Sequence, residues 1–106
     1  MTPRFTSRGR ERRSIRAALH GERPAVRIGK AGATEAVLAS VREALSAREA
    51  IKLAVGKGYA GSVRELAVEV AQRAGAELVA VTGRTFILFR PEEEAEPDPE
   101  GTENLR

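Results

Sequence analysis

Apolar residues recur at two different spacings along the chain, and these spacings predict its helices and strands. Spacings of three and four residues, typical of helices with one buried face, cover Arg10 to about Leu19, Thr34 to about Arg48, and Ser62 to Gly75. Alternating or short apolar runs, typical of strands, cover residues 25–28, 51–55, 77–82 and 85–90. The order α-β-α-β-α-β-β predicts an α/β fold, with a mixed four-stranded sheet covered by helices in a single compact domain.

Local signals mark the ends of the second and third helices and of one hairpin. Thr34 can cap the second helix through its hydroxyl group, and Ser62 with Glu65 forms a capping-box sequence at the third. Gly75 suits the left-handed residue that ends that helix. Gly83-Arg84 separates the last two strands by two residues, which predicts an antiparallel hairpin with a type II′ turn.

Aromatic residues are few, and two interpretations apply to them. Tyr59 is the only tyrosine. Its ring can stack on a nucleic-acid base, but a ring that covers the core or is merely exposed is favoured. Phe86 and Phe89 lie on opposite faces of the last strand, so we expect one in the core and the other at the surface.

Charge divides the chain into a basic part and an acidic part. Residues 1–90 carry 17 Lys and Arg against 8 Glu, a net charge of 17 − 8 = +9, and residues 91–106 carry one Arg against seven acids, 1 − 7 = −6. A basic domain attracts polyanions, and nucleic acid is the partner that this charge favours. We predict a basic arm over 1–9, a folded nucleic-acid-binding domain over 10–90 and an acidic disordered tail over 91–106. The tail is interpreted as solubilising, with competition for the basic face as the alternative.

The residue inventory argues against an enzyme. The chain has one histidine, His20, no cysteine, and one aspartate, Asp98, within the acidic segment. Neither a Ser-His-Asp triad nor a usual metal cluster can be assembled from them. We therefore expect no catalysis, cofactor, metal or small-molecule substrate. No apolar run suits a signal peptide or a membrane span, so we expect a cytoplasmic protein without a membrane partner, monomeric by default.

The segment Gly29-Lys30-Ala31-Gly32, between the first strand and the second helix, is the main candidate binding site. Glycines permit close approach, and free backbone amides beside Lys30 can meet a phosphate. A tight turn that only requires glycine is the alternative, since short glycine motifs are common. Further charge would come from Arg27 and from three arginines of the first helix, if the fold brings them to the turn. Those three are Arg12, Arg13 and Arg16.

A second glycine-rich segment, Gly56-Lys57-Gly58-Tyr59-Ala60-Gly61, matches the GxGxxG pattern of dinucleotide-binding folds. That pattern also requires an acidic residue about 20 positions later, at the end of the next strand, whereas this strand ends at Val81-Thr82. A nucleotide site is therefore the less favoured interpretation. If the first two strands are parallel, both glycine-rich segments lie at one edge of the sheet. Lys57 and Lys30 would then touch separate phosphates of one RNA.

The stretch from about Arg8 to Arg90 resembles the YhbY-like CRM domain, the chloroplast RNA splicing and ribosome maturation module. The resemblance is carried by Arg12-Arg13, by residues 26–32 followed by a helix, and by residues 83–90. Phe89 stands where the family often has tyrosine. The resemblance implies an RNA-binding domain similar in fold to the carboxy-terminal domain of translation initiation factor three. It also implies RNA contact through the GxxG loop, here Gly29 to Gly32, and association of stand-alone bacterial members with pre-50S particles. We therefore predict a protein that binds ribosomal RNA during large-subunit assembly, with a protein-interaction adaptor on the ribosome as the alternative.

Overall fold

The computed structural model describes residues 9–90, with side chains from Arg12 onward. Within this part of the chain the elements follow the predicted order. They are α1 Gly9–Leu19, β1 Val26–Ile28, α2 Glu35–Ala47, β2 Ala50–Val55, α3 Val63–Ala74, β3 Glu77–Thr82 and β4 Thr85–Phe89. The predicted arm over 1–9, apart from Gly9, and the predicted tail over 91–106 lie outside the described residues.

The four strands form one mixed sheet in the order β1-β2-β4-β3. β1 and β2 pair in parallel, with Val26 opposite Leu53, and β4 is antiparallel to both β2 and β3. β3 therefore runs in the same direction as β1 and β2. As a result, the connections that follow these three strands leave the sheet at one edge. We call this edge the carboxyl rim, and it consists of residues 29–34, 56–62 and 83–84.

The main core lies between the sheet and the pair of helices α2 and α3. Its largest fully buried side chains come from both strands and helices, because inward positions alternate along strands and recur every three or four residues along helices. They are Ile28, Leu38, Val41, Ile51, Leu53, Leu66, Val70, Phe86 and Leu88. This layer holds α2 and α3 against the sheet, so both helices begin at the carboxyl rim.

The opposite face of the sheet is covered by α1, which contacts β2 and β3. Phe86 is 1% exposed in the main core, and Phe89 on the other face is only 7% exposed. The expectation that one of these phenylalanines lies at the surface was therefore wrong. The reason is that α1 buries the second face, where Leu19 and Ile87 are also buried.

The predicted ends of the helices and of the hairpin are observed. The hydroxyl of Thr34 accepts a hydrogen bond from the N–H of Val37, and that of Ser62 accepts one from the N–H of Glu65, each at 3.1 Å. Gly75 ends α3 in the left-handed conformation, with φ of 69°. Gly83 begins the two-residue β3–β4 turn with a φ of 59°, the sign that type I′ and type II′ turns both need at this position.

Candidate functional site

The Gly29–Gly32 turn points one of its backbone amides away from the protein. The N–H of Gly32 donates to the carbonyl of Gly29 at 3.0 Å, which closes the turn. In a trans peptide the carbonyl of one residue and the N–H of the next point in opposite directions, and no peptide of the described chain is cis. Because the Gly29 carbonyl points into the turn, the N–H of Lys30 points out of it.

The exposed part of this turn has unused hydrogen-bond donors. Gly29, Lys30 and Ala31 are exposed. Among the hydrogen bonds within residues 9–90, none uses the N–H of Lys30 or of Ala31. These amides, beside the Lys30 ammonium group, form a concentrated set of donors that an anionic oxygen can accept.

The ring of Tyr59 lies between two glycines, one from each glycine-rich segment. Gly32 is buried with a φ of 75°, and a Cβ added there would lie 3.0 Å from Cε1 of Tyr59. A Cβ added to Gly61 would lie 2.8 Å from the tyrosine hydroxyl oxygen. The ring is half-buried and packs against the core cluster. Of the two favoured alternatives for Tyr59, the structure supports the core-covering one, and the ring leaves little room for a Cβ at Gly32 or Gly61.

The two glycine-rich segments are in direct contact. The N–H of Gly56 donates to the carbonyl of Ile28 at 2.8 Å, which continues the parallel pairing of β1 with β2 beyond the strands. A Cβ added to Gly58 would lie 3.5 Å from Cβ of Lys30, an ordinary van der Waals distance. The prediction that both segments share one edge of the sheet is confirmed.

Arg84 anchors the second glycine-rich segment, and the sequence interpretation missed this role. Its Nε donates to the carbonyl of Val55 at 3.1 Å, and its Nη2 donates to the carbonyls of Gly56 at 2.5 Å and Tyr59 at 3.2 Å. The main chain adds a further bond, from the N–H of Val55 to the carbonyl of Arg84 at 2.7 Å. Since the partners lie 25 to 29 positions away in sequence, no local signal could have identified them.

The carboxyl rim carries positive charges that no acidic residue of the rim balances. It contains Lys30, Lys57 and Arg84 and no aspartate or glutamate. None of the ion pairs among the described side chains involves these three residues. Other arginines have carboxylate partners, namely Arg12 with Glu77, Arg48 with Glu22, and Arg73 with Glu35 and Glu69. An anion is therefore attracted to the rim more strongly than to these neutralised positions.

The remaining candidate arginines lie at different distances from this rim. Arg27 is exposed directly before the turn, on the face of β1 opposite to Val26. Arg12 donates to Glu77 at 3.1 Å, and Glu77 begins β3 at the sheet edge opposite to the rim. Arg13 and Arg16 are exposed on α1. The structure therefore places Lys30 and Lys57 on neighbouring loops of the rim. Arg27 lies on the strand that leads to the rim, and Arg12 lies at the opposite edge of the sheet.

The surroundings of the Gly56–Gly61 segment do not suit a dinucleotide. In the fold that uses this fingerprint, the acidic residue lies at the end of a parallel strand adjacent to the first. Here β4, which is antiparallel, separates β2 from the strand that ends at Thr82. The space between Gly32 and Gly61 is also filled by the ring of Tyr59.

The described residues contain neither a membrane-spanning helix nor a cluster of metal ligands. No helix there is long and apolar enough to cross a membrane. Nor do these residues bring three or more histidine, aspartate or glutamate side chains together in a way that could hold a metal ion.

The fold and the rim define a small α/β domain with a positively charged edge built from glycine-rich loops. The family model of the CRS1 / YhbY (CRM) domain matches residues 8–90, and the chain belongs to this family. The match covers every helix and strand described above, so the resemblance predicted from the sequence is confirmed.

Relatives from bacteria and an archaeon have similar sequences. "Probable RNA-binding protein YqeI" of Bacillus subtilis is 28% identical, over 81% of this chain and 90% of its own. An "RNA-binding protein" of Haemophilus influenzae is 31% identical, over 81% of this chain and 87% of its own. "Probable RNA-binding protein MJ0652" of Methanocaldococcus jannaschii is 38% identical, over 80% of this chain and 64% of the longer archaeal protein.

A solved structure supports the fold independently. The solution structure of the hypothetical protein SAV1595 from Staphylococcus aureus aligns with a TM-score of 0.71 at 29% identity. The alignment covers 84% of this chain and 93% of that protein. The arrangement of three helices and four strands within residues 9–90 is therefore shared with a relative of similar sequence.

Proposed function

We propose that this protein binds RNA through the carboxyl rim, with the Gly29–Gly32 turn as the main contact, and that it contributes contacts rather than catalysis. The observation that carries the proposal is the outward N–H of Lys30, beside an ammonium group that has no carboxylate partner among the described side chains. Membership of the family and the names of the bacterial relatives support RNA as the polyanion.

The proposed target is ribosomal RNA in pre-50S particles during large-subunit assembly, in the cytoplasm. This part rests on the resemblance to the YhbY-like family. The proposed contacts of the amides and lysines are to phosphate oxygens, which carry no base identity, so recognition depends on the shape of the RNA more than on its sequence. Arg27 extends the contact along the face of β1, whereas Arg13 and Arg16 supply charge from α1.

Charge substitution at the turn tests the proposal. Lys30→Ala removes one phosphate contact, and a charge-assisted hydrogen bond contributes about 1.5–3 kcal/mol, so affinity for a ribosomal RNA fragment falls about tenfold or more. The slope of log K against log salt concentration becomes shallower by about 0.7 for a single-stranded target. Fluorescence anisotropy with labelled RNA over a range of salt measures both quantities.

Arg23→Ala is the matched control, because it removes one exposed positive charge before β1, at the end of the strand opposite to the rim. We expect a decrease of less than about twofold, since an exposed charge at a distance beyond the ~10 Å Debye length is screened. A folded Lys30→Ala protein that binds RNA as tightly as the parent, or no more weakly than the Arg23→Ala control, would falsify the proposal.

Nuclease treatment separates an RNA binder from a ribosomal adaptor. Tagged protein is isolated with pre-50S particles and treated with ribonuclease on the resin. We expect ribosomal RNA and ribosomal proteins to be released together, because RNA is the bridging partner. Retention of a stoichiometric ribosomal protein after complete RNA digestion would indicate the adaptor function instead.

A further inference from the structure

The segment Gly56–Gly61 is held in a defined geometry by hydrogen bonds from Arg84. Arg84 draws the carbonyl groups of Gly56 and Tyr59 toward its guanidinium group, at 2.5 and 3.2 Å. The peptides are trans, so each N–H that follows these carbonyls points away from Arg84. Those N–H groups belong to Lys57 and Ala60.

The two outward amides have no acceptor among the described residues. Among the backbone hydrogen bonds of residues 9–90, neither the N–H of Lys57 nor that of Ala60 is a donor. Both residues are exposed. The segment therefore presents two N–H groups and one ammonium group to solvent, while the carbonyls of Gly56 and Tyr59 point toward Arg84. These three donors, which we call the nest, suit an anion.

The guanidinium group of Arg84 contributes a second effect. It satisfies three carbonyls, and no carboxylate among the described side chains compensates its positive charge. The half-buried position of Arg84 places this charge close to the nest, where it attracts anions. A lysine at this position would keep the charge but would lack the fixed planar fork that bonds several carbonyls at once.

The nest lies beside the Gly29–Gly32 turn. A Cβ on Gly58 would touch Cβ of Lys30 at 3.5 Å, so Lys57, the neighbour of Gly58, is within reach of the same bound molecule. Two adjacent lysines repel each other in the free protein, and an anionic chain that passes both removes this repulsion. A polymer with a phosphate at every nucleotide fits such a paired site better than a single small anion does.

We propose that the Gly56–Gly61 segment is a second phosphate-binding site for the same RNA, and that Arg84 is the positioning residue that turns its amides outward. This inference rests on the proposed function of the rim. Lys57 and the amides of Lys57 and Ala60 bind one phosphate group, and the Gly29–Gly32 turn binds another phosphate of the same strand. Arg84 acts through the loop and does not touch the RNA.

A double-mutant cycle tests the role of Arg84. Lys57→Ala alone lowers RNA affinity about tenfold and makes the salt slope shallower by about 0.7. In the Arg84→Lys background the nest is no longer held, so Lys57→Ala changes affinity by less than about twofold, whereas Lys30→Ala keeps most of its own effect. If Lys57→Ala has the same effect with arginine or lysine at position 84, charge alone is sufficient and the positioning role is wrong.

Tyr59 provides a readout in the free protein that does not depend on RNA. The chain has one tyrosine and no tryptophan, so its intrinsic fluorescence comes from this segment alone. Releasing the Tyr59 carbonyl by Arg84→Lys loosens the segment and increases quenching of tyrosine emission by acrylamide, while Lys57→Ala leaves quenching unchanged. Equal quenching in parent and Arg84→Lys proteins would show that Arg84 does not hold the loop.

The outcomes for the two lysines separate the second site from the first. Loss of affinity in both Lys30→Ala and Lys57→Ala supports the paired site. Loss in Lys30→Ala alone overturns the second site and leaves the proposed function standing, and no loss in either variant overturns both. If Lys57 binds a protein partner in place of RNA, the interaction will depend on Lys57 and will survive ribonuclease treatment. That result would overturn this inference.

Discussion

At the scale of single residues, the two glycines of the Gly29–Gly32 turn have different roles. Gly32 has a φ of 75° and would place a Cβ 3.0 Å from the Tyr59 ring, whereas a Cβ on Gly29 meets nothing within 4 Å. Gly32 is therefore needed for the fold. A side chain at position 29 would cause no strain within the protein. If glycine is needed there, the reason is the close approach of a bound ligand to the turn.

Replacing each of these glycines by alanine separates folding from binding. Gly32→Ala lowers the free energy of unfolding by about 1–3 kcal/mol, because alanine is strained in the left-handed region and its methyl group displaces the tyrosine ring. Gly29→Ala leaves stability unchanged or raises it by up to about 1 kcal/mol, yet weakens RNA binding because the methyl group stands on the exposed turn. Urea unfolding and RNA titration measure the two effects, and a large loss of stability in Gly29→Ala would contradict this assignment.

Residue types and positions in the turn were predictable from sequence, whereas the contacts that shape it were not. A lysine between glycines after a strand indicates an exposed cation, and Lys30 is exposed. The sequence indicates Arg84 as part of a hairpin turn and of the stretch that resembles the family, but not its hydrogen bonds, since the carbonyls it binds belong to a different segment of the chain. The position of the Tyr59 ring between Gly32 and Gly61 was not predictable either, because this packing requires both loops to be in place.

At the scale of elements, α1 is joined to the sheet by the side chain of a strand residue. Nζ of Lys52 donates to the carbonyls of His20 at 3.0 Å and Glu22 at 3.2 Å, just beyond the end of α1. The carbonyl of Lys52 also accepts from the N–H of Ala25 at 2.7 Å. A lysine on β2 thus caps the end of the helix that covers the second face of the sheet.

Removing this cap destabilises the protein without affecting the rim. Lys52→Met retains the apolar stem but loses the bonds to His20 and Glu22, and we expect the free energy of unfolding to fall by about 1–2 kcal/mol. Lys57→Met is the matched control, because Lys57 is exposed on the rim and makes none of the described hydrogen bonds, so its stability stays within about 0.5 kcal/mol of the parent. Equal stability of the two variants in urea would show that the α1 contact contributes little.

The elements themselves were predictable because their signals are local. Thr34, Ser62 and Gly75 act at the helix ends where their sequence neighbours indicated, and the turn at Gly83 joins antiparallel strands. The face on which α1 lies was not predictable from periodicity, since a helical pattern defines a buried stripe but not the surface that covers it. The burial of Phe89 follows from that placement and was missed for the same reason.

At the scale of the whole molecule, charge is separated along the sequence. Removing residues 91–106 changes the net charge from +3 to 3 − (−6) = +9. RNA association depends on the total electric field at low salt as well as on direct contacts. We therefore expect the acidic segment to reduce the attraction of the chain for RNA at low salt, where screening is weak.

A chain that ends at Arg90 should associate with RNA faster and bind more tightly than the full chain at about 50 mM salt. The difference should disappear near 0.5 M salt, where the Debye length is well below ~10 Å. Stopped-flow association and equilibrium titration at both salt concentrations measure it. An unchanged association rate at low salt would show that the acidic segment does not affect the field at the binding surface.

The most direct measurement is an amide NMR titration of the ¹⁵N-labelled full chain with a short single-stranded RNA, because it observes individual N–H groups of the carboxyl rim. The account predicts that the largest shifts occur at the outward amides of Lys30, Ala31, Lys57 and Ala60, and that they diminish with added salt. Rim amides that stay unchanged while residues on the outer surfaces of α2 and α3 shift would contradict it.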